Sequence, residues 1–376
     1  MKIAIIDTYY PAYLNSIRGE IVGSEGGYVS FLSKILQKKF GTSDFYSRYL
    51  NNLGHEVIDI IPNCEWLQIQ WEREYGRTSL PNILNYQGLI DKLRGRPDSE
   101  HLKKILLSQI KLFKPEILYL QDLSVLNATE LKRLKSLGYI KMVVGQIACP
   151  LPPRDNLIGC DLILTSFPHY VKLFRDMGIK SEYFKIGFDA SVLDLLDTSV
   201  RDIPCSFVGG ISSAHSERMS FLESLATQTD IQFFGYGSEN LKSGSPIDKK
   251  HHGPAWALEM YQVLGRSYIT LNSHINAAQN FANNMRLYEA TGCGALLITD
   301  HKENLAEIFE PGKEVVSYTS AQDAIDKINY YLANPLEGRS IALAGQKRTL
   351  KEHTYFHRMS DLERILLEHL DAQGSS

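Results

Sequence analysis

Short apolar runs alternate with amphipathic stretches from one end of the chain to the other. Lys2–Ile6 reads as a buried strand, and Tyr28–Lys38 as the helix that follows it. Glu56–Ile61 and Glu116–Leu120 are two further strands. Between them Leu102, Ile105, Leu106, Ile110 and Phe113 recur at helical spacing on an otherwise charged segment, and Pro115 ends that helix. Lys141–Gly145 and Asp161–Leu164 continue the series. Such alternation is the pattern of a doubly wound parallel sheet with helices on its faces.

The pattern then breaks and restarts. Asp189–Pro204 is acidic, short of aromatics and ends in proline, as a linker would. Cys205–Val208 opens a second series and runs into Gly209-Gly210. Helix Glu217–Ala226, strand Ile231–Phe234, helix Ala255–Leu264 and strand Tyr268–Leu271 follow. Then come helix Met285–Ala290, strand Ala295–Ile298 and a helix from Ala321 to Leu332. The expectation is an α/β chain of two Rossmann-like halves, residues 1–188 and 203–340. A terminal helix over 359–371 should pack back on the first half through Leu362, Ile365, Leu366 and Leu370. Two such halves facing across a cleft would bring the carboxyl ends of both sheets to one gap. Open α/β sheets bind ligands at that edge, and the helix N-termini there favour a phosphate-bearing one.

Composition narrows the class. The chain has 376 residues, 44% of them hydrophobic and 22% charged, which fits two globular domains and excludes disorder for most of its length. The net charge of −3 gives no reason to expect nucleic acid as a partner or a polybasic membrane patch. The five cysteines never form a CxxC pair, which argues against a disulfide framework and a structural zinc site. The longest stretch without Asp, Glu, Lys or Arg, Ser267–Met285, carries five Asn, so it is not a transmembrane helix, and only peripheral membrane contact stays open. Met1–Ile6 is too short an apolar run for a signal peptide. These features point to a cytoplasmic enzyme.

The most informative stretch runs from Asn283 and Asn284 through Met285-Arg286-Leu287-Tyr288-Glu289-Ala290-Thr291-Gly292-Cys293-Gly294-Ala295. It continues as Leu296-Leu297-Ile298-Thr299-Asp300, then Glu307-Ile308-Phe309 and Pro311-Gly312-Lys313-Glu314. A short helix carries one acid, a Gly-x-Gly turn follows, then a buried strand, then a polar loop. This resembles the C-terminal half of GT-B glycosyltransferases. Within them it is most similar to the bacterial group related to the spore maturation protein CgeB. Gly41-Thr42-Ser43-Asp44-Phe45-Tyr46, Leu53-Gly54-His55-Glu56 and the Gln68/Trp71 pair also look like this group. The resemblance runs from about residue 41 to about 358 and is strongest over 284–318.

The resemblance implies transfer of a sugar from a nucleotide diphosphate sugar to a glycan, lipid-linked glycan or small-molecule hydroxyl, in a setting such as polysaccharide biosynthesis. It gives Glu289 the ribose diol of the donor. The broader retaining pattern has a second glutamate seven residues earlier, and here that position is Ala282. Asn284, in an amide-rich stretch suited to sugar hydroxyls, is the substitute. Diphosphate needs cations or helix N-termini. Arg218, in the helix after Gly209-Gly210, falls where related enzymes place a basic residue. Arg286 lies one turn from Glu289, and His215 and Gly210 are further candidates. In the first half Gly26 and Gly27 precede the helix at Tyr28 and offer a second glycine loop for an anion. The catalytic base should come from that half. Asp122 and Asp7 each follow a strand directly, at the carboxyl edge, and either is placed to deprotonate an acceptor. Trp66 and Trp71 suit acceptor sugars or core packing. No metal constellation or Asp-x-Asp motif appears, so no metal or other cofactor is expected. Two rivals remain: a sugar-nucleotide epimerase or hydrolase on the same fold, and a non-catalytic binding or assembly protein.

Overall fold

The first apolar run becomes the centre of a sheet. β1 (Lys2–Ile6) pairs in parallel with β2 (Glu56–Ile60) on one side and β3 (Ile117–Leu120) on the other. β4 (Met142–Gln146), β5 (Leu162–Thr165) and β6 (Lys180–Tyr183) extend it in the order β2-β1-β3-β4-β5-β6, all parallel. β3 and β5 are buried at every residue, as strands covered on both faces are. The order reverses between β1 and β3, so the connections leaving their carboxyl ends diverge and open a crevice. The computed structural model of the chain describes residues 1–76, 99–211, 216–241 and 243–374.

A second sheet repeats the plan. β7 (Ile203–Val208), β8 (Ile231–Phe234), β9 (Ser267–Asn272), β10 (Leu296–Asp300) and β11 (Val316–Tyr318) lie in the order β11-β10-β9-β7-β8, again all parallel. Here the reversal falls between β7 and β9. The core is filled by Phe207, Phe233, Leu271 and Ile298 from the strands, and by Leu222, Leu225, Ile325 and Ile328 from helices Ser216–Gln228 and Ala321–Ala333.

The chain divides into two compact units, Met1–Phe184 with Met359–Ser376, and Lys185–Arg358. The expected linker is therefore part of the second unit. Ala190–Leu195 forms a 3-10 helix, and β7 begins at Ile203 and runs through Pro204. Proline is tolerated there because it sits at the strand's first turn of pairing, before β8 joins at Cys205. The helix Pro335–Glu352, also in this unit, extends past the expected boundary at 340. Its Gly345 lies against the Glu314 carbonyl oxygen, with which any larger side chain would collide. The charged strand β6 and the three-residue β11 lack an apolar run and are read only from the sheet.

The last helix, Tyr355–Gly374, crosses the division: its first turn belongs to the second unit and the rest to the first. Met359, Leu362, Ile365 and Leu366 are buried, and Glu363 lies 2.9 Å from His55 Nε2. The segments beside the division are fastened together within the second unit. The Phe188 N–H donates to the His353 carbonyl at 2.9 Å, and Tyr355 N–H to the Phe188 carbonyl at 2.9 Å. Buried Arg358 donates to the Ile186 carbonyl and to His353 Nδ1, each at 2.9 Å. Burial, with the Arg358 charge, pushes the His353 pKa down to about 4. Among the described residues no helix is long and apolar enough to cross a membrane.

Candidate functional site

The reversal between β7 and β9 collects the chemistry of the second unit. After β7 the chain turns through Gly209 and Gly210, and after β8 through Gly235, Tyr236 and Gly237. The two turns pack backbone against backbone. The Gly209 N–H donates to the Phe234 carbonyl at 3.0 Å and Ile211 N–H to the Tyr236 carbonyl at 2.7 Å. Side chains at Gly235 or Gly237 would strike the carbonyl oxygens of Gly209 and Ile211. The Gly210 N–H between them has no hydrogen bond among the described residues, and the Tyr236 ring lies beside it. Tyr236 in turn stacks on Trp256 at 5.3 Å between ring centres.

Arg218 lies over the Phe207 ring, its guanidinium carbon 5.1 Å from the ring centre. It makes no ion pair among the described residues, and its Nε is buried without a hydrogen-bond partner. Burial pulls its pKa down, while the phenols of Tyr318 and Tyr236 and the Asp300 carboxylate act the other way. A cation near the carboxyl edge of a sheet, without an ion pair among the described residues, is able to take an anion.

Asp300, the last residue of β10, binds His274, two residues past β9. His274 Nδ1 is 2.7 Å from Asp300 Oδ1, and its buried Nε2 has no partner among the described residues. Lys302 Nζ lies 3.3 Å from Asp300 Oδ2. Burial works against the Asp300 charge, but the hydrogen bond from His274 and the nearby Lys302 outweigh it and hold the carboxyl below its ordinary range. Neither His274 nor Asp300 stands out by motif. The signal was available all the same: each closely follows, or ends, a strand at the carboxyl edge.

Asn284 caps the helix Met285–Gly292. Its Oδ1 accepts from the Leu287 N–H at 3.2 Å, and its Nδ2 donates to Asn272 Oδ1 at 2.9 Å. Asn272 Nδ2 donates to Thr299 Oγ1 at 3.0 Å. The amides thus tie β9, β10 and the helix together, and Asn284 acts first as a cap. Glu289 sits in the second half of this helix rather than on its first turn and is only 4% exposed. Arg286 Nη1 is 2.7 Å from its Oε2, so the nearest anion to Arg286 is a carboxylate of the protein. Burial raises the Glu289 pKa, against the pull of Arg286 and a hydrogen bond from Tyr261. Ala282 is fully buried, and Asn304 grips its backbone at both N–H and carbonyl. His215 lies outside the described residues.

The first unit has the opposite character. At the reversal between β1 and β3, Asp7 and Asp122 come together. The Thr8 hydroxyl donates to Asp122 Oδ2 at 2.7 Å, and Ser124 donates to Asp122 Oδ1 through its N–H at 2.8 Å. Asp7 accepts the Thr8 N–H at 2.8 Å, and the Thr42 hydroxyl also acts on it. Burial of its carboxyl, with the Asp122 charge, raises its pKa to about 7. Asp59 on β2, which the sequence did not single out, behaves alike. It accepts a short hydrogen bond from Ser47, and burial, with the charges of Asp44 and Asp7, raises its pKa to about 7.

The glycine loop of this unit is not open to phosphate. The Tyr28 N–H, first in its helix, donates to Glu74 Oε1 at 2.8 Å, and a side chain on Gly27 would collide with that carboxylate. Gly26 and Gly27 therefore admit an internal anion. Trp71 is buried and stacks on Tyr75. Among the described residues no group of three or more His, Cys, Asp or Glu side chains is placed to hold a metal ion.

Known proteins share this architecture. Residues 218–364 match a family model described as glycosyl transferase-like. No curated protein sequence matches the chain. HepE of Anabaena, solved with UDP-glucose, superposes with a TM-score of 0.60 at 12% identity, covering 98% of this chain and 100% of that one. Sucrose-phosphate synthase from Thermosynechococcus elongatus gives 0.58 at 12% identity, over 98% and 99%. A glycosyltransferase from Rickettsia africae gives 0.56 at 13%, over 98% of each chain. This chain has the GT-B glycosyltransferase fold, two α/β units each built on a parallel sheet.

Proposed function

We propose that the protein is a glycosyltransferase that moves a sugar from a nucleoside diphosphate sugar, a UDP-sugar first among them, to a hydroxyl acceptor. The observation that carries this reading is Arg218, a partly buried guanidinium without an ion pair among the described residues, against the Gly209 turn at the reversal of the second sheet. As the bond from sugar to diphosphate breaks, charge grows on the leaving phosphate. Preorganised donors of this kind stabilise that charge, and removing one typically lowers the rate by a factor of about 100–1,000. Glu289 takes the ribose hydroxyls, with Arg286 exchanging part of its pairing to the phosphates.

The acceptor loses its proton to Asp7. A base works best with a pKa near the working pH, and Asp7 meets that condition. Asp122 accepts hydrogen bonds at both oxygens, which makes it the group that positions Thr8 and, through its charge, tunes Asp7. The motif from Asn283 to Glu314 supports the CgeB-related group, and the acceptor is a glycan, a lipid-linked glycan or a small molecule. The first unit then serves the acceptor and the second the donor.

The test is thermal denaturation against UDP, GDP, dTDP, CDP and ADP sugars, followed by turnover of any hit. A ligand at 100 times its dissociation constant adds about 2.7 kcal/mol. Transfer should need an acceptor and survive EDTA. Rapid turnover of donor alone would instead indicate an epimerase or hydrolase. Failure of every nucleotide sugar to stabilise the protein would end the reading.

A further inference from the structure

Three helices of the first unit, Pro11–Val22, Tyr28–Gln37 and Glu65–Tyr75, line an open cavity of about 260 Å³, with Arg18, Glu65 and Arg73 exposed at its rim. Neither Arg18 nor Arg73 on its walls makes an ion pair or hydrogen bond among the described residues. Glu65 on the wall has no ion pair among the described residues, and three acids nearby are already engaged. Glu20 pairs with Lys38 at 2.7 Å and Glu72 with His101 at 3.0 Å, and Glu74 accepts from the Tyr28 N–H at 2.8 Å and from Gln70 at 2.6 Å. Two guanidinium groups are thus left to one cavity. Half-buried Trp66 and buried Phe31 supply apolar surface there, and Glu65 and Gln70 supply acceptors.

The cavity is tied to the carboxyl edge of the first sheet. Glu65 and Trp66 follow Asn63 by two and three residues. The Tyr9 N–H donates to Asn63 Oδ1 at 3.1 Å, and Asn63 Nδ2 donates to the Tyr9 carbonyl at 2.7 Å. Tyr9 lies two residues past Asp7.

We propose that this cavity binds one anionic sugar unit, bearing a carboxylate or a phosphate, with Arg18 and Arg73 on the anion and the Trp66 ring against the sugar. Its size falls just below that of most ligand pockets, which run from roughly 300 to 1,000 Å³, and suits a single ring at most. A guanidinium meets either anion with two parallel hydrogen bonds, so one pair of arginines serves both chemistries. Glu65 and Gln70 accept hydrogen bonds from hydroxyls and disfavour a bare anion. That this unit belongs to the acceptor rests on the transferase reading; the binding itself does not.

Calorimetric titration of the full chain with glucuronate, glucose 6-phosphate, glucose and inorganic phosphate tests it. One of the two acidic sugars should bind at least tenfold more tightly than glucose and than phosphate, and the tighter of the two identifies the anion. The Arg18→Gln/Arg73→Gln double variant and Trp66→Leu should each weaken that binding at least tenfold, with UDP affinity unchanged. Equal affinity for glucose and the acidic sugars overturns the proposal. So does phosphate binding as tightly as glucose 6-phosphate, or a double variant that binds like the wild type. Loss of UDP binding from the wild type would count against the transferase reading and not against this one.

Discussion

The two sheets share one plan and carry opposite charge at the same place. In each, the strand order reverses beside the first strand, at β1/β3 and at β7/β9. At the first reversal stand Asp7 and Asp122, with Asp59 on the neighbouring strand, and burial holds Asp7 and Asp59 near a pKa of 7. At the second stands Arg218 against Gly209, the Gly210 N–H has no hydrogen bond among the described residues, and Asp300 is offset by His274 and Lys302. Topology makes the crevice, and the residues just past the strands decide whether it favours protons or anions. An acidic edge suits a base, and a basic edge suits a leaving phosphate.

The comparison breaks most sharply at Asp7. Asp7→Asn should lower transfer by about 100- to 10,000-fold, the span for a positioned general base. Nucleotide affinity should stay the same. The wild-type rate should fall as pH drops through about 7, because protonation removes the base. If Asp122→Asn abolishes the rate and Asp7→Asn does not, the roles are exchanged. Arg218→Ala should act on the other edge, with a loss of about 100–1,000-fold in turnover and weaker nucleotide diphosphate binding. Arg218→Lys should recover part of it, since lysine keeps the charge without the planar fork. Steady-state rates and calorimetry on the same samples separate the two edges.

Glu289→Gln is the better probe of the ribose, because Glu289→Ala would leave the buried Arg286 unpaired and destabilise the fold. The amide should cost about 1.5–3 kcal/mol of nucleotide affinity. A lower melting temperature with an unchanged nucleotide dissociation constant would make the pair purely structural. The smallest effect is expected at Asp59. Its raised pKa means that the native state holds a proton which the unfolded state releases between about pH 4 and 7. Stability is therefore greatest on the acid side and declines as pH rises through about 7. Asp59→Asn should come closest to the wild type in urea denaturation near pH 4 and gain about 1–3 kcal/mol on it between pH 5 and pH 8. Parallel curves at both pH values would show that Asp59 is not held neutral.

Apolar runs and helical periodicity in the sequence located strands such as Lys2–Ile6, buried at its last four residues, and Ile231–Phe234, an edge strand whose burial alternates. They missed β6, whose Lys-Ser-Glu-Tyr lies at the sheet's edge and needs no apolar run. They also read Asp189–Pro204 as a linker, since a segment held by the packing of its neighbours carries little pattern of its own. The residues past strand ends, Asp7, Asp122 and Gly210, were legible because chain order alone puts them at a carboxyl edge. Their meaning was not. Gly26 and Gly27 look as much like a phosphate loop as Gly209 and Gly210 do. Only the fold shows that Glu74, some fifty residues away in sequence, fills the first, while the Gly210 N–H of the second has no hydrogen bond among the described residues.

What the sequence determined by itself was the alternation of elements, the doubling of the sheet and the identity of the groups on each edge, because these follow from local periodicity and chain order. Tertiary structure decided which charges are paired. It set Arg286 against Glu289, left Arg218 without an ion pair among the described residues, and placed His274 on Asp300. Pairing depends on distances between residues far apart in the chain, and pKa on the burial those distances create. Neither is written in any local run of residues.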